Sequence, residues 1–139
     1  MKFPKDFKIE ISSEFVNKED RFARLIGMEV NTLKKGYAEA SILITEDLLN
    51  IYDMAHGGVI FSLADHVCES AGNSLGRVAV AIQNNIEFLA PAKKGDLLTA
   101  KGKVTHTAGK IGLVEVEIKN QKGELIAKNQ QIIYFKGKK

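Results

Sequence analysis

Between residues 57 and 75 the apolar positions fall at Ile60, Leu63, Ala64, Val67, Ala71 and Leu75. That recurrence at i, i+3 and i+4 builds a single stripe on a helix. It predicts a long helix closed by Gly76, a residue suited to the left-handed position past a helix end. Upstream, Phe15, Phe22, Leu25 and Ile26 recur at helical spacing within SSEFVNKEDRFARL and just beyond it, behind serines able to cap. They predict one short helix ending near Gly27. MEVNTLKKGYAEASILI alternates on both sides of Lys34-Lys35-Gly36, which predicts a hairpin. Beyond the long helix the period changes to two. RVAVAIQNNIEFLA, DLLTAKGKVTHTA, KIGLVEVEIKN and ELIAKNQQIIYF read as strands, separated by turns rich in Gly, Lys and Asn.

A short helix, a hairpin, one long helix and then a run of antiparallel strands define an α+β class. The expected architecture is a five- or six-stranded antiparallel sheet curled around the one long helix. At 139 residues the chain is expected to be a single domain, 1–139, with its core at about 20–136. Burying the helix on one face leaves the other face and the sheet edges bare, and a homo-oligomer is the simplest cover.

Composition narrows the function classes. The chain is 45% hydrophobic and 27% charged, as expected of a globular protein. No apolar run approaches the roughly 20 residues that span a bilayer. The opening MKFPKDFKIE has no signal-like apolar stretch, and the single cysteine, Cys68, allows no intramolecular disulfide. Together these predict a cytoplasmic protein with no membrane partner. The net charge of +3 is mild, part of it from the terminal KGKK, and no aromatic residues interleave with basic ones. Nucleic acid is therefore not an expected partner, though a modestly positive surface helps attract a phosphorylated small molecule. His56, His66 and His106 lack metal-ligand spacing, and neither a phosphate-loop pattern nor a Gly-x-Ser-x-Gly elbow occurs. No metal is expected.

The ends of the long helix carry the chemistry. On a wheel of about 100° per residue, Asp65 falls at the margin of the apolar stripe, beyond Phe61 and Cys68. Cys68 reads as a small core residue, and His66 as a surface histidine on the polar face. Asp65 fits either the start of a solvated face or a functional carboxylate. His56-Gly57-Gly58 opens the helix, where the first N–H groups have no internal partner and the dipole is mildly positive. Bare backbone there fits a tight turn, and it equally fits the stabilisation of an oxyanion.

Asn50 followed by HGGVIFSLAD resembles the hotdog-fold acyl-CoA thioesterases, in particular the phenylacetate-pathway (PaaI-like) branch of the 4-hydroxybenzoyl-CoA thioesterase superfamily. In that branch an Asn lies six residues before the His-Gly-Gly and an Asp nine after the His. Asn50, His56 and Asp65 match both spacings. NNIEFLAPAKKGDLLTAKGKV continues the likeness, and element order agrees from about residue 20 onward. The resemblance implies a hotdog fold and hydrolysis of an acyl-CoA thioester to a carboxylic acid and free coenzyme A. No cofactor is implied, because coenzyme A is part of the substrate. It implies that the Gly57 N–H serves as oxyanion donor, with Gly58 allowing close approach. Asp65 would be general base or nucleophile, Asn50 would orient water or thioester, and His56 would buttress the loop. Gly57 and Asp65 are eight residues apart, about 12 Å along a helix axis, so one chain cannot bring both to one carbonyl. A dimer or dimer of dimers with shared sites is therefore expected.

The chain departs from its relatives at Ala81, where they often carry Ser or Thr. Gln83, read as sharing a strand face with Ala81, is the expected polar substitute. Lys93, Lys94 and Lys110 are candidates for the coenzyme A phosphates. Two other readings remain: a hotdog enoyl-CoA hydratase or dehydratase, and a non-enzymatic acyl-CoA-binding module.

Overall fold

The computed structural model describes residues 11–137; the opening MKFPKDFKIE and the last two lysines of KGKK lie outside the described residues. Two short helices replace the one expected. α1 spans Ser13–Glu19 and α2 spans Arg21–Ile26. The break falls at Asp20, whose side chain accepts the Ala23 amide at 2.9 Å and so starts a new helix. The hairpin follows as β1 (Glu29–Lys34) and β2 (Tyr37–Leu43), turning at Gly36 with φ of 74°.

After a one-turn 3₁₀ segment at Glu46–Leu48 comes α3, Gly57–Asn73. The strands β3 (Val78–Phe88), β4 (Leu97–Ala108), β5 (Ile111–Lys119) and β6 (Leu125–Lys136) complete the chain. All six strands form one antiparallel sheet in the order β1-β2-β4-β5-β6-β3. This is the hotdog arrangement: the sheet wraps α3, whose Leu63, Ala64, Val67 and Ala71 are fully buried. Contact is closest at Gly102 on β4, where a Cβ would lie 2.3 Å from Val67 Cγ1. No larger residue fits between helix and sheet there.

Two polar clasps position the ends of this assembly. Asn73, at the last turn of α3, accepts the Ala79 amide at 2.9 Å and donates to the Ala79 carbonyl at 3.1 Å. The start of β3 is thereby tied to the helix it covers. Asn17 on α1 pairs in the same way with Val30 of β1, at 2.8 and 2.9 Å. One border of the sheet, β1, is therefore covered by α1. The other, β3, is an open edge among the described residues; Ile82 and Phe88 on it and Leu89 just beyond it are exposed, Ile82 at 57%.

Candidate active site

At the start of α3, His56 acts as the helix cap. Its Nδ1 accepts the Gly58 amide at 2.8 Å, and its own amide donates to the Leu48 carbonyl at 2.9 Å. Nδ1 is thus the unprotonated nitrogen of the ring. A Cβ on Gly58 would sit 3.0 Å from that Nδ1, so the second glycine makes room for the cap. The Gly57 amide is different: among the described residues it has no acceptor. It borders a cleft of about 340 Å³ lined by Met54, Ile60, Phe88, Leu89 and Pro91. An uncommitted N–H at the positive end of a 17-residue helix, beside apolar walls, can stabilise a developing oxyanion.

Asn50 precedes this point in a tight loop. Its side-chain oxygen accepts the amides of Tyr52 and Met54, at 2.9 and 3.2 Å. Asp53 within the loop takes a positive φ of 57°. The oxygen is therefore spent on shaping the approach to His56, while the side-chain N–H₂ has no acceptor among the described residues.

Asp65 lines a second cleft, of about 270 Å³, with Cys68, Glu69, Ala79, Val80, Ala81 and Ile133. It is half-buried. Burial pushes its carboxyl above the ordinary range and Asp20 adds to this, while His66 and a hydrogen bond from Gln131 oppose it. The neighbouring Glu69, whose side chain reaches the surface, is pushed to about 7 by desolvation, then by Asp65 and Asp20. Burial likewise drives the Cys68 thiol upward, so it is held protonated as a core residue.

Two expectations need correction. His66 is not on the surface: only 3% of it is exposed, because the α1–α2 junction packs over what looked like the polar face of α3. Its Nδ1 lies 3.6 Å from Asp20 Oδ2, its Nε2 has no partner, and burial depresses its pKa. Nor do Ala81 and Gln83 share a face. A bulge in the β3–β6 ladder shifts the register between them, so Ala81 faces Ile133 whereas Gln83 faces Ile132. Gln83 turns to the outer side of the sheet, and Asn84, opposite Gln131, takes the helix side.

The candidate lysines divide between two ends of the molecule. Lys93 and Lys94 lie on the turn that borders the Gly57 cleft; Lys93 bridges Met54, and Lys94 is 3.7 Å from Glu46. Lys110 stands at the far end, over the Tyr134 ring at 5.9 Å. Sequence reasoning missed Asn129 and Gln131, which gather on the helix side of β3 and β6 with Asn84, whose facing the sequence leaves open. The signal was present in KNQQ, where Asn129 and Gln131 occupy alternate, inward positions of a strand.

A six-stranded antiparallel sheet wrapped on one helix, with an uncommitted amide at the helix start and a half-buried carboxylate further along it, is the fold of the hotdog thioester hydrolases. The chain belongs to the Thioesterase superfamily, whose family model matches residues 52–127. Among its relatives, the acyl-coenzyme A thioesterase PaaI of Escherichia coli is 37% identical over 108 residues, 78% of this chain and 77% of that protein. A putative esterase of Archaeoglobus fulgidus is 32% identical over 91% of this chain and 82% of its own length. The solved structure of E. coli PaaI superposes with a TM-score of 0.87 at 33% identity, covering 90% of this chain and 91% of that one. A hypothetical thioesterase from Streptococcus pneumoniae, solved with coenzyme A, superposes with a TM-score of 0.77 at 29% identity over 81% of this chain and 88% of its own. No helix among the described residues is long and apolar enough to cross a membrane.

Proposed function

We propose that the chain hydrolyses an acyl-CoA thioester to a carboxylic acid and free coenzyme A, at sites shared between two copies. The observation that carries this reading is the separation of two half-sites. The uncommitted Gly57 amide borders one cleft and the Asp65 carboxylate borders another, eight residues along α3. Two copies joined through their open β3 edges, running antiparallel, set the Gly57 of one beside the Asp65 of the other. The exposed Ile82, Phe88 and Leu89 lie along that edge and would be covered. Support for the substrate comes from the relatives: E. coli PaaI is an acyl-coenzyme A thioesterase, and the S. pneumoniae protein holds coenzyme A.

In this mechanism the Gly57 N–H receives the carbonyl oxygen. Asp65 removes a proton from water as it adds to the carbonyl carbon. The C–S bond then breaks, and the proton passes to the departing thiolate. In the variant where Asp65 itself attacks, a mixed anhydride forms and water cleaves it. Asn50 offers its N–H₂ to water or thioester, and Lys93, Lys94 and the partner's basic end, with Lys110, attract the phosphates. Coenzyme A is the only carrier required, and it arrives with the substrate.

Asp65→Asn tests the reading. A folded variant should lose at least about 100-fold in thiol release from a panel of acyl-CoAs, the lower range for a general base. Near-normal turnover would remove Asp65 from its role. Tight binding of acyl-CoA by the unmodified protein with no product at all would favour a binding module instead.

A further inference from the structure

The walls of the Asp65 cleft differ in kind. β3 and β6 supply Ala79, Val80, Ala81 and Ile133, all apolar, while α3 supplies Asp65, Cys68 and Glu69. No lysine, arginine or histidine lines it. Since the Cys68 thiol is held protonated, the charged groups of this cleft are the two carboxylates. Glu69 lies four residues beyond Asp65, on the same side of α3 and about 6 Å further along the axis.

Glu69 has no task inside the chain. Among the described residues its carboxylate accepts no hydrogen bond and meets no cation; only its main-chain carbonyl is engaged, by the Asn73 side-chain amide at 2.8 Å. Like charges one turn apart weaken a helix. The chain therefore carries a second carboxylate at this cleft without a structural return for it. Nor is it walled off, because its side chain reaches the surface.

Charge also decides which end of the substrate meets Glu69. The phosphates of coenzyme A are drawn to Lys93 and Lys94, on the turn beside the Gly57 cleft. A cleft with two carboxylates and no cation repels them, so the acyl group is the part that turns into it. We infer that Glu69 is a specificity residue of the acyl cleft: its carboxylate turns away acyl chains that end in a carboxylate and leaves the cleft to uncharged ones. This rests on the acyl-CoA hydrolysis proposed above. An extended six-carbon acyl chain reaches about as far from its carbonyl as Glu69 stands from Asp65. Adipoyl would set its terminal carboxylate against Glu69, where hexanoyl sets a methyl group.

The test compares hexanoyl-CoA with adipoyl-CoA, equal in carbon count, by thiol release. Wild type should prefer hexanoyl-CoA in kcat/KM by about a hundredfold, the scale of close like-charge repulsion. Glu69→Gln keeps the shape and removes the charge, and should shrink that preference at least about tenfold. Glu69→Asp restores a carboxylate and should keep most of it. The wild-type preference should also weaken from about pH 8 to about pH 6, as Glu69 takes up a proton while adipoyl stays ionised. The other titratable groups around Glu69 are Asp65 and Cys68 on α3 and Asp20 from the α1–α2 junction; His66 turns to Asp20, and β3 and β6 present none to the cleft. Protonation of Asp65 slows both substrates alike and drops out of the ratio. If neither six-carbon thioester is turned over, the same ratio is read from their inhibition of whichever acyl-CoA is cleaved. A ratio that is the same in wild type, Glu69→Gln and Glu69→Asp overturns the specificity role alone. No thiol release from any acyl-CoA overturns the hydrolase reading and this role with it.

Discussion

His56 Nδ1 accepts the Gly58 amide at 2.8 Å, and this one bond gives the two adjacent glycines different duties. Gly58 has its N–H consumed and its Cα crowded by the imidazole; Gly57 keeps its N–H for the cleft. Alanine substitutions should separate them. Gly58→Ala drives a methyl against Nδ1 and should cost about 1 kcal/mol through the lost cap. Gly57→Ala meets only the Phe88 ring, at 3.5 Å, and should fold at least as stably while losing turnover, because the methyl enters the space of the thioester. Thermal unfolding beside thiol-release kinetics checks both.

Glu69 sets a pH dependence of stability. Its carboxyl rises from 4.5 to about 7 on folding, chiefly through desolvation. Between those values the folded chain holds a proton that the unfolded chain has released, so stability falls as pH rises through that window. Glu69→Gln should flatten this fall, matching wild type near pH 4 and exceeding it near pH 8. Denaturant titrations at the two pH values measure the difference. A difference between wild type and Glu69→Gln that is the same at both pH values would contradict the assignment.

Gly102→Ala should be among the most damaging single-methyl additions. Its Cβ would lie 2.3 Å from Val67 Cγ1, and overpacking of this kind costs about 1–3 kcal/mol. The second-site change Val67→Ala should recover part of the loss. A double-mutant cycle reads the coupling directly.

Ile82→Lys tests the shared site without touching either half of it. The side chain is exposed at the bulge of β3, so the isolated fold should tolerate the change. Turnover should fall together with molecular mass in sedimentation. A monomeric variant that retains full activity would show that each chain works alone.

Much of this architecture was legible because it depends on period. The stripe from Ile60 to Leu75 marked α3, and the spacing of Asn50, His56, Gly57 and Asp65 singled out the candidate site that the proposal builds on. Four features were not legible, because a side-chain cap, a bulge or a distant element intervenes. The break between α1 and α2 depends on Asp20 turning to cap, within a run whose helical spacing continues across it. His66 reads as exposed on a wheel because a wheel cannot show the α1–α2 junction lying over it. The facing of Gln83 and Asn84 hinges on a bulge, which inserts one residue and reverses every side chain beyond it. KNQQ shows that Asn129 and Gln131 share one face of a strand, but only the helix packed there decides that this face is the inward one.

The clasp between Asn17 and Val30 carries a consequence for solubility. Among the described residues the clasp satisfies the outer backbone of β1 at Val30 and blunts that border, so the barer ladder of amides and carbonyls belongs to β3. A particle with two such ladders could add copies without end and grow into fibres. With one, any union of like borders uses up both at the first step, and growth halts there.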